Sequence, residues 1–183
     1  YKKNKNCNDL HIFINNFLKN LLEKEVFIFK DKINFKYPNS KRFKIHYDGI
    51  FQVNNINGWY KYDNIFINVL LNLSNFGKNT GNTKIAKQHK NNFEELLNNT
   101  NKDGTPFLKK EIYSKLKPFY TTNLNLGDIL IFYNTCPHCS EINISDNPKI
   151  SLIYTYCMNN KNSYNEYFLD KNNSKNNVSK ALL

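Results

Sequence analysis

Arginine is almost absent from this chain. Arg42 stands alone among 26 lysines and arginines in 183 residues, so the net charge of +11 is a lysine charge. Arginine supplies the planar fork that grips phosphate and guanine in bidentate fashion. Without it, and with Asn, Lys, Ile, Tyr and Phe spread evenly along the chain, the basic balance reads as compositional drift, and nucleic acid is not the expected partner. Long apolar runs are missing too. None approaches the ~20 residues of a membrane span, and the N-terminus lacks the apolar core and small-residue cleavage site of a signal peptide. Cysteine is sparse: Cys7, Cys136, Cys139 and Cys157 show no disulfide-framework spacing. A reducing, cytoplasmic setting is therefore expected. The Cys136-Pro-His-Cys139 run has no second pair to complete a four-ligand zinc site. The first residue is tyrosine rather than methionine, as expected of a chain trimmed at its start.

What remains is the composition of one globular domain with room for a core. Apolar residues at 10, 13, 14, 17, 18, 21 and 22 have helical spacing, with Asp9 as the expected N-cap. From residue 25 the period changes. Strands are expected within 25–36 and 43–49, separated by the turn Tyr37-Pro-Asn-Ser-Lys-Arg42. Further strands are expected within 62–74, at 83–87, after the Gly127-Asp128 turn, and within 147–157. Residues 88–99 read as a short helix or helical turn and 100–119 as a long connection. Helices do not alternate with strands, so the class is mainly β, an antiparallel sandwich or jelly roll with a flanking N-terminal helix. Residues 1–160 form the expected domain, and the polar, aperiodic stretch 161–183 the expected mobile tail.

His46 and Asp48 would share one face of a strand. His138 follows the apolar run Ile129–Tyr133, and Lys149 opens another strand. Two histidines, one carboxylate and open positions make the facial triad of non-haem Fe(II) oxygenases, which needs an anionic co-substrate held by a cation. Trp59, Tyr60 and Tyr62 follow in "NGWYKYD" and either line a pocket or pack as core. Gln52, four residues past Asp48, is a further candidate for the pocket.

The segments "KINFKYPNS", "HYD" (46–48), "NTGNTKIAKQHK" (79–90) and "GDILIFYNTCPHCS" (127–140) carry a resemblance, as does the run from His138 through Ser140, Asn143, Ser145 and Lys149 to Tyr156. Over residues 25–157 the chain resembles the phytanoyl-CoA dioxygenase family of Fe(II)/2-oxoglutarate-dependent oxygenases. The resemblance implies a double-stranded β-helix of the cupin-like jelly-roll kind, with His46, Asp48 and His138 as iron ligands. It places Lys149 where the family has an arginine for the distal carboxylate of 2-oxoglutarate, Ser140 where a serine assists, and Asn34, across a one-residue gap, near a co-substrate asparagine. The implied activity is a dioxygenase that uses O2, converts 2-oxoglutarate to succinate and CO2, and hydroxylates a small molecule. The alternative is a non-catalytic jelly-roll binding module that keeps the fold. Three positions depart from the family pattern: Lys149 replaces the arginine, Ile45 an aromatic residue, and Gln88-His89 a Ser-His pair. His89 is not an expected ligand. Asp48 is present, which argues against the halogenating relatives that lack this carboxylate.

Overall fold

Helical spacing in the first segment produces α1 (Lys5–Leu22). It starts before the expected point, so Asp9 lies inside the helix rather than capping it. It stops where Glu23 takes a left-handed φ of 53°, the usual way to end a helix. Ile14 and Leu18 are buried, with Leu10 and Leu22 packed beside them, while Phe13, Phe17 and Leu21 stay exposed.

The computed structural model describes residues 5–49, 58–74, 79–86, 97–100, 106–108, 116 and 119–180. Among the described residues ten strands follow α1: β1 (Phe27–Lys36), β2 (Phe43–His46), β3 (Phe66–Asn72), β4 (Thr83–Ala86), β5 (Leu97–Thr100), β6 (Pro106–Leu108), β7 (Phe119–Thr121), β8 (Ile129–Tyr133), β9 (His138–Ser140) and β10 (Lys149–Cys157). A helix, α2 (Ser163–Lys180), closes the chain. Four strands pair in the order β1-β10-β3-β8 and six in the order β5-β6-β2-β9-β4-β7, all antiparallel. This is the mainly β jelly roll expected from the sequence.

Alternation along the central strands sorts the two faces of the first sheet. Val69 and Leu71 of β3 and Leu152, Tyr154 and Tyr156 of β10 turn to α1 and make the main core. The residues between them, Asn68, Ser151 and Thr155, are buried on the opposite face. A second cluster of Phe29, Phe66 and Cys157 gathers Trp59, Tyr62 and Tyr167 around it.

Three expectations change. The stretch read as a polar tail is helical over Ser163–Lys180 and docks on β1. Tyr164 donates to Asp31 (2.9 Å), Asp170 accepts from Lys61 (2.6 Å) and Tyr62 (2.7 Å), and Tyr167 joins the Phe29 cluster. Its anchors are few and widely spaced, so no apolar period marks it. The helix expected over 88–99 falls mostly outside the described residues, and Leu97–Thr100 is a strand. The connection expected over 100–119 holds β6, whose Phe107 pairs with His46 of β2. A partner distant in sequence sets that pairing, and local propensity carries no trace of it. Among the described residues no helix is long and apolar enough to cross a membrane.

Candidate metal centre

The second sheet brings the two histidines together by register: His46 at the end of β2 pairs with His138 at the start of β9. Their ring centroids lie 4.1 Å apart. Phe43 packs edge-on against His46 at 4.5 Å, and Phe132 against His138 at 5.0 Å. The chain turns sharply after Tyr47. Gly49 has φ +82°, and a Cβ there would lie 3.0 Å from the Trp59 ring and 3.2 Å from the Asn134 amide. Glycine therefore permits both the left-handed turn and the close approach. Asn134 accepts the Asp48 backbone N–H (3.1 Å), which fixes the residue that carries the acid.

Each imidazole is oriented by its own strand. His46 Nδ1 lies 2.8 Å from the Lys44 carbonyl and His138 Nδ1 3.0 Å from the Cys136 carbonyl. A carbonyl only accepts, so Nδ1 carries the proton and Nε2 presents a lone pair. Both lone pairs face Asp48: His46 Nε2 is 3.7 Å from Oδ1 and His138 Nε2 is 3.5 Å from Oδ2. These separations exceed hydrogen-bond reach. They are near the spacing of ligands around one ion, about 3 Å for neighbours with bonds of about 2.1 Å. One donor atom from each residue lies within 4.8 Å of the others.

Charge state suits the same use. Burial, then neighbouring His138, pushes His46 down to about 4, against the pull of Asp48. Burial opposes ionisation of Asp48, but His138, His46, Lys30 and Lys32 together hold it at about 2. At neutral pH His46 is neutral and Asp48 charged, as ligation requires. The donor set, two imidazole nitrogens and one carboxylate with open positions, fits a divalent first-row ion.

Behind Asp48 stands a relay that the sequence did not disclose. Asn68 of β3 donates to Asp48 Oδ2 (2.9 Å), and Thr155 of β10 donates to Asn68 Oδ1 (2.9 Å). Thr155 thereby fixes which end of the amide faces the acid. The only signal was a polar residue inside the wholly buried run of β3.

A cavity of about 600 Å³ lies between the sheets, and the triad, Asn34, Trp59 and Ser140 line it. Gln52 falls outside the described residues. Lys149 is 7% exposed and donates to Asn82 Oδ1 (3.2 Å). Among the described hydrogen bonds, the ammonium on Ser140 Oγ is that of Lys36 (2.8 Å), which sequence reasoning missed. Lys36 and Lys149 are register partners on β1 and β10. Burial, then Lys36, lowers Lys149 to about 8. Asn143 and Ser145 hold the frame: Asn143 donates to the Lys36 carbonyl (2.8 Å) and accepts from Ser145 Oγ (2.7 Å). Ser40 Oγ, also on the cavity wall, is buried without a hydrogen-bond partner among the described residues.

No family model matches the chain. It is 30% identical over 157 residues to a 2-aminoethylphosphonate dioxygenase from uncultured bacterium HF130_AEPn_1, covering 82% of this chain and 53% of that protein. The chain thus spans about half the length of this curated relative. Its fold is similar to that of SnoK, a non-heme alpha ketoglutarate dependent carbocyclase from nogalamycin biosynthesis, with a TM-score of 0.58 at 15% identity over 78% of this chain and 54% of that one. It is likewise similar to EctD from S. alaskensis, solved with 2-oxoglutarate and 5-hydroxyectoine, with a TM-score of 0.58 at 18% identity over 76% of this chain and 47% of that one. The likeness to these two solved structures shows a shared fold.

Proposed function

We propose that this chain is the catalytic core of an Fe(II)- and 2-oxoglutarate-dependent dioxygenase that hydroxylates a small molecule. The observation that carries the reading is the convergence of His46 Nε2, His138 Nε2 and an Asp48 oxygen without hydrogen bonds among them. His46, Asp48 and His138 would hold the iron. When bound with 2-oxoglutarate and O2, iron supplies the oxidation that converts the keto acid to succinate and CO2 and hydroxylates a C–H bond. Everything else is positioning. The Lys44 and Cys136 carbonyls keep both imidazoles in the ligating tautomer. Phe43 and Phe132 wall the rings from water.

The distal carboxylate of the keto acid goes to the cavity wall at Lys36 and Ser140, with Lys149, the register partner of Lys36 but not itself a lining residue, behind them. Two ammonium groups stand in for the single arginine of the resembling family, and neither has a carboxylate as its described hydrogen-bond partner. Ser40, with a hydroxyl unmet among the described residues, and Asn34, on the same wall, add polar contacts there. Trp59 and Gln52 belong to the substrate side. The narrower assignment to the phytanoyl-CoA dioxygenase family rests on the motif run from His138 to Tyr156. A cytoplasmic setting belongs to the same proposal, on the cysteine spacing read from the sequence.

The test is uncoupled turnover. The purified chain with Fe(II), 2-oxoglutarate and O2 should release succinate, and the Asp48→Ala variant should not. A folded sample that binds metal yet yields no succinate would leave a binding module in place of an enzyme.

A further inference from the structure

β1 is patterned inside out. Lys30, Lys32, Asn34 and Lys36 alternate along it and line the cavity, while Ile33 on the other face is 58% exposed. A half-buried strand ordinarily does the reverse. The cause is a bulge. Ile28 pairs with Tyr156 and Lys30 with Thr155, so Phe29 is an extra residue in the ladder. Without it Lys30 would pair with Tyr154 and face α1. One inserted residue thus turns every lysine of the strand toward the metal centre, as bulges beside active sites do.

Lys36 is engaged at the Ser140 corner. Lys30 and Lys32 lie roughly 20 and 13 Å back along the strand, at a rise of about 3.3 Å per residue. Lys30 Nζ sits 4.0 Å from the centre of the Trp59 ring. Burial lowers Lys30 to about 8, with Asp48 pulling the other way and Lys32 and Lys171 adding to the fall. Among the described residues Asp48 is the acid that raises Lys30, and it also belongs to the candidate metal centre. Lys30, partly buried over the indole, and Lys32, open to solvent, thus bring two ammonium groups to one end of the cavity wall, an arrangement that attracts an anion.

We propose that Lys30, over the Trp59 ring, and Lys32, two residues on along the same cavity-lining face of β1, form a subsite for an oxyanion on the substrate, a phosphonate, phosphate or carboxylate group. Its catalytic meaning rests on the oxygenase reading above, whereas the anion binding itself does not. The oxyanion accepts from the two ammonium groups, and the group it anchors is thereby held beside the triad.

Trp59 is the sole tryptophan, so its emission reports on this subsite. The experiment titrates methylphosphonate, and separately propionate and a neutral alcohol of similar size, into the metal-free chain. A saturable emission change is expected with the anions and none with the alcohol. Affinity should fall by about tenfold or more in Lys30→Met/Lys32→Met and in Lys30→Gln, and stay within about twofold in Lys84→Met, whose ammonium pairs with Glu141. An unchanged affinity in the double variant, or an equal loss in Lys36→Met, overturns the proposal. Fe(II) and 2-oxoglutarate are then added anaerobically to the same samples. A visible chelate band without an oxyanion response sinks the subsite alone. An oxyanion response without the band sinks the oxygenase reading and leaves the subsite standing.

Discussion

Asp48 depends on a relay from two neighbouring strands: Thr155 of β10 orients Asn68 of β3, and Asn68 holds one carboxylate oxygen. Such partners of a metal ligand typically contribute a factor of about 10–100 in metal affinity. Asn68→Ala should therefore weaken Fe(II) or Mn(II) binding by that factor, measured by titration, while the far-ultraviolet spectrum stays native. Lys149 makes the opposite bargain. Its ordinary value is 10.5 and the fold lowers it to about 8, so the folded state disfavours its charged form. The unfolded chain holds more protons between those values, and stability rises with pH across that window. At pH 7 the charge is a burden, so Lys149→Met should stabilise the chain by roughly 1–3 kcal/mol. Denaturant titrations should show that advantage shrinking as pH rises from about 8 toward 10.5. Asn82 loses little, because Thr80 still donates to it (3.1 Å). In wild type, affinity for 2-oxoglutarate should decline above about pH 8 as the ammonium discharges, and Lys149→Arg should flatten that profile. The triad was legible because its members sit in short motifs of chemically distinctive residues. Asn68 was not, since an asparagine in an apolar strand says nothing of what its amide meets. Lys36 was hidden for another reason: it reaches Ser140 through strand pairing, and pairing has no local signature.

At the scale of elements, the β1 bulge and the Gly81 turn set the cation corner. Gly81 has φ +75°, and a Cβ there would collide with Lys36 Cδ at 2.8 Å and the Glu141 carbonyl at 2.9 Å. Gly81→Ala should displace Lys36 from Ser140 and weaken 2-oxoglutarate binding severalfold, with metal affinity unchanged, when both are titrated in one preparation. The helix α2 makes a separate prediction. Tyr167 packs on Phe29 at 4.8 Å and on Tyr62 at 5.9 Å, and it also lines the cavity. Tyr167→Ala should lower unfolding free energy by roughly 2–3 kcal/mol and leave the triad's metal affinity intact. An unchanged midpoint in urea would show that α2 contributes nothing to this cluster. The strands around the site followed from alternation and turn chemistry. A one-residue bulge escapes such a reading, because it shifts which face is buried without changing which residues are apolar. The docking of α2 escaped it too, because a few aromatic and acidic anchors replace a continuous stripe.

For the whole molecule, the two sheets divide the labour. The second sheet supplies both imidazoles across the β2–β9 pair, and the first supplies the amide relay and the lysines. The lysine charge that composition alone explained as drift has, on β1, a definite address facing the cavity. The central claim is that His46, Asp48 and His138 jointly bind one Fe(II) and leave room for a chelating keto acid. Its most direct test is the visible absorption of the chain mixed anaerobically with Fe(II) and 2-oxoglutarate. A weak charge-transfer band is expected that requires both additions and vanishes in His138→Ala and in His46→Ala. Absence of the band in the folded wild-type chain, or a band of equal strength in either variant, would contradict the central claim.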